Sequence, residues 1–494
     1  MKIRENKINT NPIVFLPGVF DSRLYFDTEL NRLAWPLDAV EIFRGMAMFN
    51  GLITLEQERA HVPLYVPEPV NDSTAGKPEY GPNSKWKDFI EGLVAAFPNR
   101  DVWYFSYDFR QLSADSAVSL NDFLKTFDTQ VDIVCHSYGN NLLAAYLSAY
   151  GPDKINRAAC LAPPFEGSPE IFLVPPGSPN FPCMNELVPS PEINKIYPVT
   201  VRQSPESPAV PADEKAYAQV INSFNGARYV KQDFSALFAH PGIRFALGGD
   251  RLTPLATEFT IDEKGLPYVS DFGFGHAGDA TVPTLSGSDN GALADRICMF
   301  PGLNHSGFAS DRGAVFWAVM QLNSNDPPMI PYQVYKRPFV KILVDGSVDV
   351  NVHKPFSLEN MISLTYKQSA GIASDPIGPE RNINVIALDP QECVIELYSI
   401  VKRETMKITI ETYDADEKLT DIRTETVSSR FVRMIMDKNG QIDRKFTLDL
   451  PEKISDIKVP DIKIPDIRIP EIKIPGLRKA EERNAAADRD DKKK

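Results

Sequence analysis

The sequence predicts a mostly parallel α/β sheet covered by helices on both faces, followed by a small all-β unit and an extended tail. Three observations carry this reading. Short apolar runs at 13–16, 102–106, 131–135, 157–161, 243–247 and 296–300 alternate with helical patterns through the first 323 of 494 residues. Beyond residue 335 the apolar residues recur every second position, as in antiparallel strands. The last segment repeats every five residues with a proline in each repeat, which forbids a helix or a central strand.

Taken in chain order, the first apolar run is Ile13 to Leu16, followed by Pro17-Gly18-Val19. Residues 21–98 then interrupt the rhythm with Trp35, Phe43, Met46, Met48 and Phe49 and little strand character. Trp35 and Met48 read as packing residues, with contact to a membrane surface as the rarer alternative. The run Val131-Asp132-Ile133-Val134-Cys135-His136-Ser137-Tyr138-Gly139 ends in a serine, and Leu142, Leu143, Tyr146, Leu147 and Tyr150 follow at helical spacing. A serine at such a strand-to-helix turn is held clear of the sheet, and the next N–H sits at a helix N-terminus where it can stabilise an oxyanion. The usual G-x-S-x-G pattern has Cys135 in place of its first glycine.

A nucleophilic serine needs a base and an acid to orient that base. Of the six histidines, His61 precedes the serine and His136 abuts it, where the ring cannot easily turn back onto the hydroxyl. His240 and His276 leave awkward choices of acid, and His353 falls beyond the domain boundary. His305, in Pro301-Gly302-Leu303-Asn304-His305 after a short strand, is the best candidate base. Asp279, in Gly278-Asp279-Ala280-Thr281-Val282-Pro283, precedes it on a loop and can fix the imidazole tautomer. Between serine and acid, residues 163–240 are rich in proline, including Pro175, Pro176, Pro179, Pro182 and Pro189, and read as a cap with Phe172, Leu173 and Val174 in its core.

Past the linker at Asn325-Asp326-Pro327-Pro328, Val340, Ile342 and Val344 alternate before Asp345-Gly346, and Val348, Val350 and Val352 after it. This predicts a two-residue hairpin. Further strands read at 392–398, 406–413 and 431–436, with a turn at Asn439-Gly440, so residues 335–450 are expected to form a small antiparallel sandwich. No catalytic pattern occurs there, and His353 has no evident partner. The repeats Asp456-Ile457-Lys458-Val459-Pro460 to Glu471-Ile472-Lys473-Ile474-Pro475 give a two-sided extended strip within 451–494, suited to docking on a partner, a sheet edge or another copy. Mixed charges at 478–494 suggest a solvated tail.

Four separated blocks make residues 10 to 323 resemble the lecithin:cholesterol acyltransferase family of α/β-hydrolases, which includes lysosomal phospholipase and phospholipid:diacylglycerol acyltransferase. Pro12 to Val19 is similar to the family's first strand and oxyanion loop. Tyr107-Asp108-Phe109-Arg110 resembles its Tyr-Asp-Trp-Arg signature, and Leu161 to Ser168 its Gly-Ala-Pro-Trp-Gly-Gly-Ser segment. The segments around Asp279 and His305 match its acid and histidine blocks. Phe109 and Pro164 to Glu166 depart from the pattern, which bears on substrate and acceptor and leaves the triad alone. The resemblance implies an α/β-hydrolase fold with cap and lid insertions near 21–98 and 163–240. It implies acyl transfer through an acyl-serine on Ser137, with Asp279, His305, and the Val19 and Tyr138 N–H groups as oxyanion donors.

Composition narrows the partners. A net charge of −13 argues against broad nucleic-acid binding, and 43% hydrophobic residues suffice for a large core. The polar N-terminus lacks a signal-peptide core or membrane span, so a cytoplasmic location, peripheral to membranes at most, is expected. Five scattered cysteines do not form a disulfide framework, no spacing suggests a metal, and no cofactor is expected. Asp271 and Asp289, beside the acid block, read as ordinary loop residues. The expected ligand is a lipid or other acyl ester, with a membrane surface, or a protein bound through the β unit or repeat, as further partners. A non-catalytic interaction protein on the same scaffold and a small-substrate esterase or thioesterase remain open alternatives.

Overall fold

Six strands form one parallel sheet in a computed structural model that describes residues 10–25, 33–35, 84–173, 181–224, 228–323, 327–346, 348–353, 361–368, 381–399, 405–429 and 431–448. In spatial order they are Ile297–Pro301, Ile243–Gly249, Ile155–Leu161, Val131–His136, Ile13–Leu16 and Val102–Tyr104. Each apolar run marked in the sequence lies in this sheet. The Val131–His136 strand is buried along its whole length between two parallel neighbours, which is why it reads as a continuous apolar run.

The helices cover both faces. Ser113–Leu124 and Gly139–Tyr150 pack on one side with Leu120, Leu142 and Leu143. Lys87–Ala96 and Arg312–Leu322 pack on the other with Phe89, Leu93 and Trp317. The one charged residue inside the central strand, Asp132, is answered by Arg100 at 2.5 Å and by the Asn156 amide at 2.7 Å. A buried carboxylate is tolerable only when matched in this way. The architecture is an α/β-hydrolase fold with additional all-β sheets in its C-terminal region.

The 163–240 insertion shares the core of the parallel-sheet layer, where its Phe172 meets its own Phe224 and the Phe259 beyond it with ring centroids 5.9 and 5.2 Å apart. Its strands Thr200–Arg202 and Val210–Pro211 join a hairpin, Thr253–Ile261 and Pro267–Gly275, in a second sheet. That hairpin is absent from the sequence reading, and it places Asp271 on a strand rather than a loop. Val174, Pro175, Pro176 and Pro179 lie outside the described residues, as do Phe43, Met46, Met48 and Phe49 of the first insertion and all of 451–494.

The C-terminal strands form a five-stranded and a four-stranded antiparallel sheet around a shared core of Ile342, Val344, Ile386, Leu397, Ile408 and Met434. Here the expected hairpin at Asp345-Gly346 does not form. Phe339–Asp345 pairs with Arg381–Leu388 and Thr405–Tyr413, whereas Val348–His353 pairs with Cys393–Ser399 in the other sheet. The chain crosses from one layer to the next, and alternation cannot distinguish the two outcomes because both put the same residues on a buried face. His353 does have a partner, Glu396 at 3.1 Å. Phe339, Val385 and Ala387 belong to the core of the parallel-sheet layer, so the β-sandwich is packed directly on the α/β unit.

Candidate active site

Ser137 sits between the buried central strand and the Gly139–Tyr150 helix with φ of +51°. A non-glycine residue in the left-handed region costs about 1–3 kcal/mol and persists where surrounding packing demands it. Two glycines explain the packing. A Cβ on Gly139 would lie 2.3 Å from the Leu16 carbonyl oxygen, and one on Gly18 would lie 2.9 Å from Ser137 Cβ. The Pro17-Gly18-Val19 loop therefore presses against the serine turn at backbone distance.

Three of the residues singled out in the sequence come together. The Ser137 hydroxyl donates to His305 Nε2 at 2.9 Å, and His305 Nδ1–H donates to Asp279 Oδ2 at 2.8 Å. This tautomer follows from the partners, since a carboxylate can only accept. The second Asp279 oxygen accepts the N–H groups of Val282 at 2.7 Å and Thr281 at 3.1 Å. The Asp279 carbonyl in turn accepts the His305 N–H at 2.7 Å. Acid and base are thus tied through both main chain and side chain. Asp279 is buried, and Gly248 lies so near that a Cβ there would stand 2.8 Å from Asp279 Cβ.

Val19 follows Gly18 in the turn closed by the Asp21 N–H to the Gly18 carbonyl, and Tyr138 opens the helix. Among the described residues no main-chain acceptor takes the N–H of either. Both residues adjoin the serine turn, Val19 through Gly18 and Tyr138 as the next residue in the chain.

Several contacts around the serine turn cannot be read from the sequence. Cys135, at the position where the pattern has glycine, is fully buried and points its thiol at Asn140 Oδ1, 3.0 Å away. The Asn140 amide donates to the Ser137 carbonyl at 2.8 Å and the Leu161 carbonyl at 3.1 Å. A polar residue on the buried face of a helix was the available signal. The Tyr138 hydroxyl donates to the Glu186 carboxylate, which also takes the Ser113 N–H at 3.0 Å and the Ser113 hydroxyl at 3.1 Å. Burial nonetheless raises the Glu186 pKa, with these hydrogen bonds opposing it. Glu186 lies in the 163–240 insertion, so that insertion is tied to the turn and helix that follow Ser137.

The remaining histidines separate cleanly. His136 is buried beside His305, with ring centroids 4.8 Å apart. His240 accepts the Gly242 N–H at 3.1 Å, far along the chain from the serine turn and at the opposite end of its strand. His276 is enclosed by Glu417 and Asp389, and His61 lies outside the described residues.

No protein-family model matches this chain, and no curated protein sequence matches it either. Among solved structures it is similar to the Tle4–Tli4 complex, with 15% identity, 64% of this chain and 98% of that chain covered, and a TM-score of 0.45. It is also similar to the Bacillus licheniformis lipase BlEst2 in propeptide form, at 10% identity, 89% and 97% coverage and a TM-score of 0.35. Phospholipase PlaB from Legionella pneumophila follows at 10% identity, 71% and 88% coverage and a TM-score of 0.28.

Proposed function

We propose that this protein is a serine-dependent ester hydrolase or O-acyltransferase acting on lipid acyl esters, related to the lecithin:cholesterol acyltransferase family through the four blocks that resemble it. The observation that carries the reading is the hydrogen-bonded series from Ser137 through His305 to Asp279 at a strained strand-to-helix turn. Ser137 Oγ attacks the ester carbonyl as His305 Nε2 takes its proton. The Val19 and Tyr138 N–H groups receive the oxyanion. The ester C–O bond then breaks, His305 returns the proton to the departing alcohol, and the acyl group remains on Ser137. His305 next takes a proton from water or an acceptor hydroxyl, which attacks the acyl-serine, and the proton passes to Ser137 as its oxygen leaves.

An apolar acyl chain is supported by aromatic groups at the oxyanion turn. Phe20, directly after Val19 and only partly buried, lies 5.3 Å from Phe109 and 5.8 Å from Phe181 between ring centroids. Each methylene placed against such a wall contributes about 0.8 kcal/mol. Hydrolysis and transfer share every step but the last, so acceptor choice depends on what the cap admits.

Fluorophosphonate labelling tests the assignment. Wild-type protein should label covalently and Ser137→Ala should not, while both stay folded. Absence of serine-dependent labelling in folded protein would leave a non-catalytic interaction protein. Ester cleavage should rise with acyl chain length and with presentation in vesicles, which a small-substrate esterase or thioesterase would not show. Product analysis with phospholipid and added alcohols then separates transfer from hydrolysis, because release of free fatty acid alone removes the transferase.

A further inference from the structure

His276, three residues before Asp279, is fully buried, yet both of its ring nitrogens face carboxylates from the β-sandwich. Nδ1 lies 2.8 Å from Glu417 Oε1 and Nε2 lies 2.6 Å from Asp389 Oδ1. The His276 main-chain N–H also donates to Glu417 Oε1 at 2.8 Å. A neutral imidazole has one N–H and would turn a lone pair toward one of these oxygens, so the arrangement suits an imidazolium.

Glu417 occupies an unusual place. It stands at the tip between Thr405–Tyr413 and Leu419–Ser428 with φ of +61°, where a hairpin ordinarily takes glycine. Its neighbour across the contact is a glycine: a Cβ on Gly275 would lie 2.8 Å from Glu417 Oε2. Strain on one side and a missing side chain on the other let the carboxylate reach His276.

From His276 the chain has little slack. The Ala277 carbonyl accepts the Thr284 N–H at 2.8 Å and the Gly278 carbonyl accepts the Arg251 N–H at 3.0 Å. The Ala280 N–H meets Thr253 Oγ1 at 2.9 Å.

We propose that the β-sandwich is a positioning element of the active site: through Glu417 and Asp389 it grips His276 and thereby sets the turn that presents Asp279 to His305. This rests on the triad reading above. Other groups facing the clamp are Arg337, 4.0 Å from Asp389 Oδ2 and 3.9 Å from Asp250 Oδ2, and Tyr197 of the cap, within electrostatic reach of Glu417. The Phe339 ring stands 6.0 Å from the His276 ring. Burial works to lower the His276 pKa, and Asp389 and Glu417 outweigh it and raise it. The clamp is therefore complete at pH values below about 6.5, the ordinary histidine pKa, and is lost as pH rises through the raised value.

The test uses the full chain with Glu417→Gly, which removes the carboxylate and relieves the left-handed strain, and Glu417→Gln, which keeps an acceptor without charge. Hydrogen exchange over 276–283 should speed up roughly tenfold in Glu417→Gly while the melting temperature changes little. Fluorophosphonate labelling of Ser137 should decline at alkaline pH in wild type, and in Glu417→Gly it should be slower by about tenfold or more and lose that decline. Glu417→Gln should restore part of both. Unchanged exchange over 276–283, or faster exchange with an unaltered labelling rate and pH profile, overturns the proposal. If wild type itself does not label, the triad reading fails, and the exchange measurement alone decides whether the sandwich sets this turn.

Discussion

His136 Nε2–H donates to the main-chain carbonyl of His305 at 3.0 Å, so the residue preceding Ser137 holds the backbone of the proposed base. Behind it Asp21, bonded to Trp86 Nε1 at 2.9 Å and Lys85 Nζ at 3.2 Å, lies 3.7 Å from His136 Nδ1. Replacing His136 with Phe keeps an aromatic ring against Trp86 and removes the donor. The His305 carbonyl then loses a partner worth about 1 kcal/mol, and the base gains freedom. We expect kcat for ester cleavage to fall about tenfold with KM unchanged, read from steady-state kinetics on a single ester.

The same histidine makes the fold acid-sensitive in a defined window. Burial lowers its pKa to about 4, with the nearby His305 and Lys85 acting in the same direction and Asp21 opposing. The folded state stays neutral at His136 where the unfolded chain takes up a proton, so stability falls as pH drops from about 6.5 toward 4. At about 1.4 kcal/mol per pKa unit, this group alone removes roughly 3 kcal/mol. Asp21, held at about 2 by His136, Lys85 and Trp86 against the effect of burial, adds its own loss only at still lower pH. Urea unfolding at pH 7, 5.5 and 4.5 should show this slope, and His136→Phe should flatten it.

Gly18→Ala isolates the oxyanion turn. The new Cβ would stand 2.9 Å from Ser137 Cβ and 3.2 Å from His136 Nδ1, so either the Val19 N–H or the serine must move. Loss of one well-placed oxyanion donor costs about 10²–10³ in kcat. A fall of that size, with only a small change in melting temperature, is the expected outcome. A variant within twofold of wild type would remove Val19 from the proposed mechanism.

The parallel sheet and the serine turn were legible because both are local. A strand buried on both faces must be apolar throughout, and Ser137 had to end such a run and open a helix. That His305 and Asp279 meet beside Ser137 was expected only by elimination and by resemblance, since neither has a local pattern of its own. What stayed hidden depended on long-range contact. His136 looked inert because sequence shows only that it adjoins Ser137, not that it reaches residue 305. The sequence shows no suitable acid for His276, because its two carboxylates lie 113 and 141 positions away. The alternating valines around Asp345-Gly346 gave the right burial and the wrong pairing, because a hairpin and a crossing between layers bury the same side chains. The Thr253–Ile261 and Pro267–Gly275 hairpin leaves little trace in the sequence, since its residues alternate weakly between two partly covered faces.

Lys341 joins the sandwich to that hairpin and supports a stability prediction with a pH signature. It is only 4% exposed, and its ammonium sits 2.7 Å from Asp271 and 2.8 Å from Glu411. Burial works against its charge, but the two carboxylates outweigh that and raise its pKa. Removing one member of a buried ionic group leaves the others uncompensated, at a cost of about 3–5 kcal/mol. Lys341→Ala should therefore lose about that much in urea unfolding at pH 7.5. Asp271, whose pKa is already raised by burial against the pull of Lys341, would then face the Glu411 carboxylate with no cation between them and take up a proton more readily. The deficit should accordingly shrink as pH falls toward 5, where protonation neutralises one carboxylate. A deficit independent of pH would mean that lost packing, rather than uncompensated charge, sets the role of Lys341.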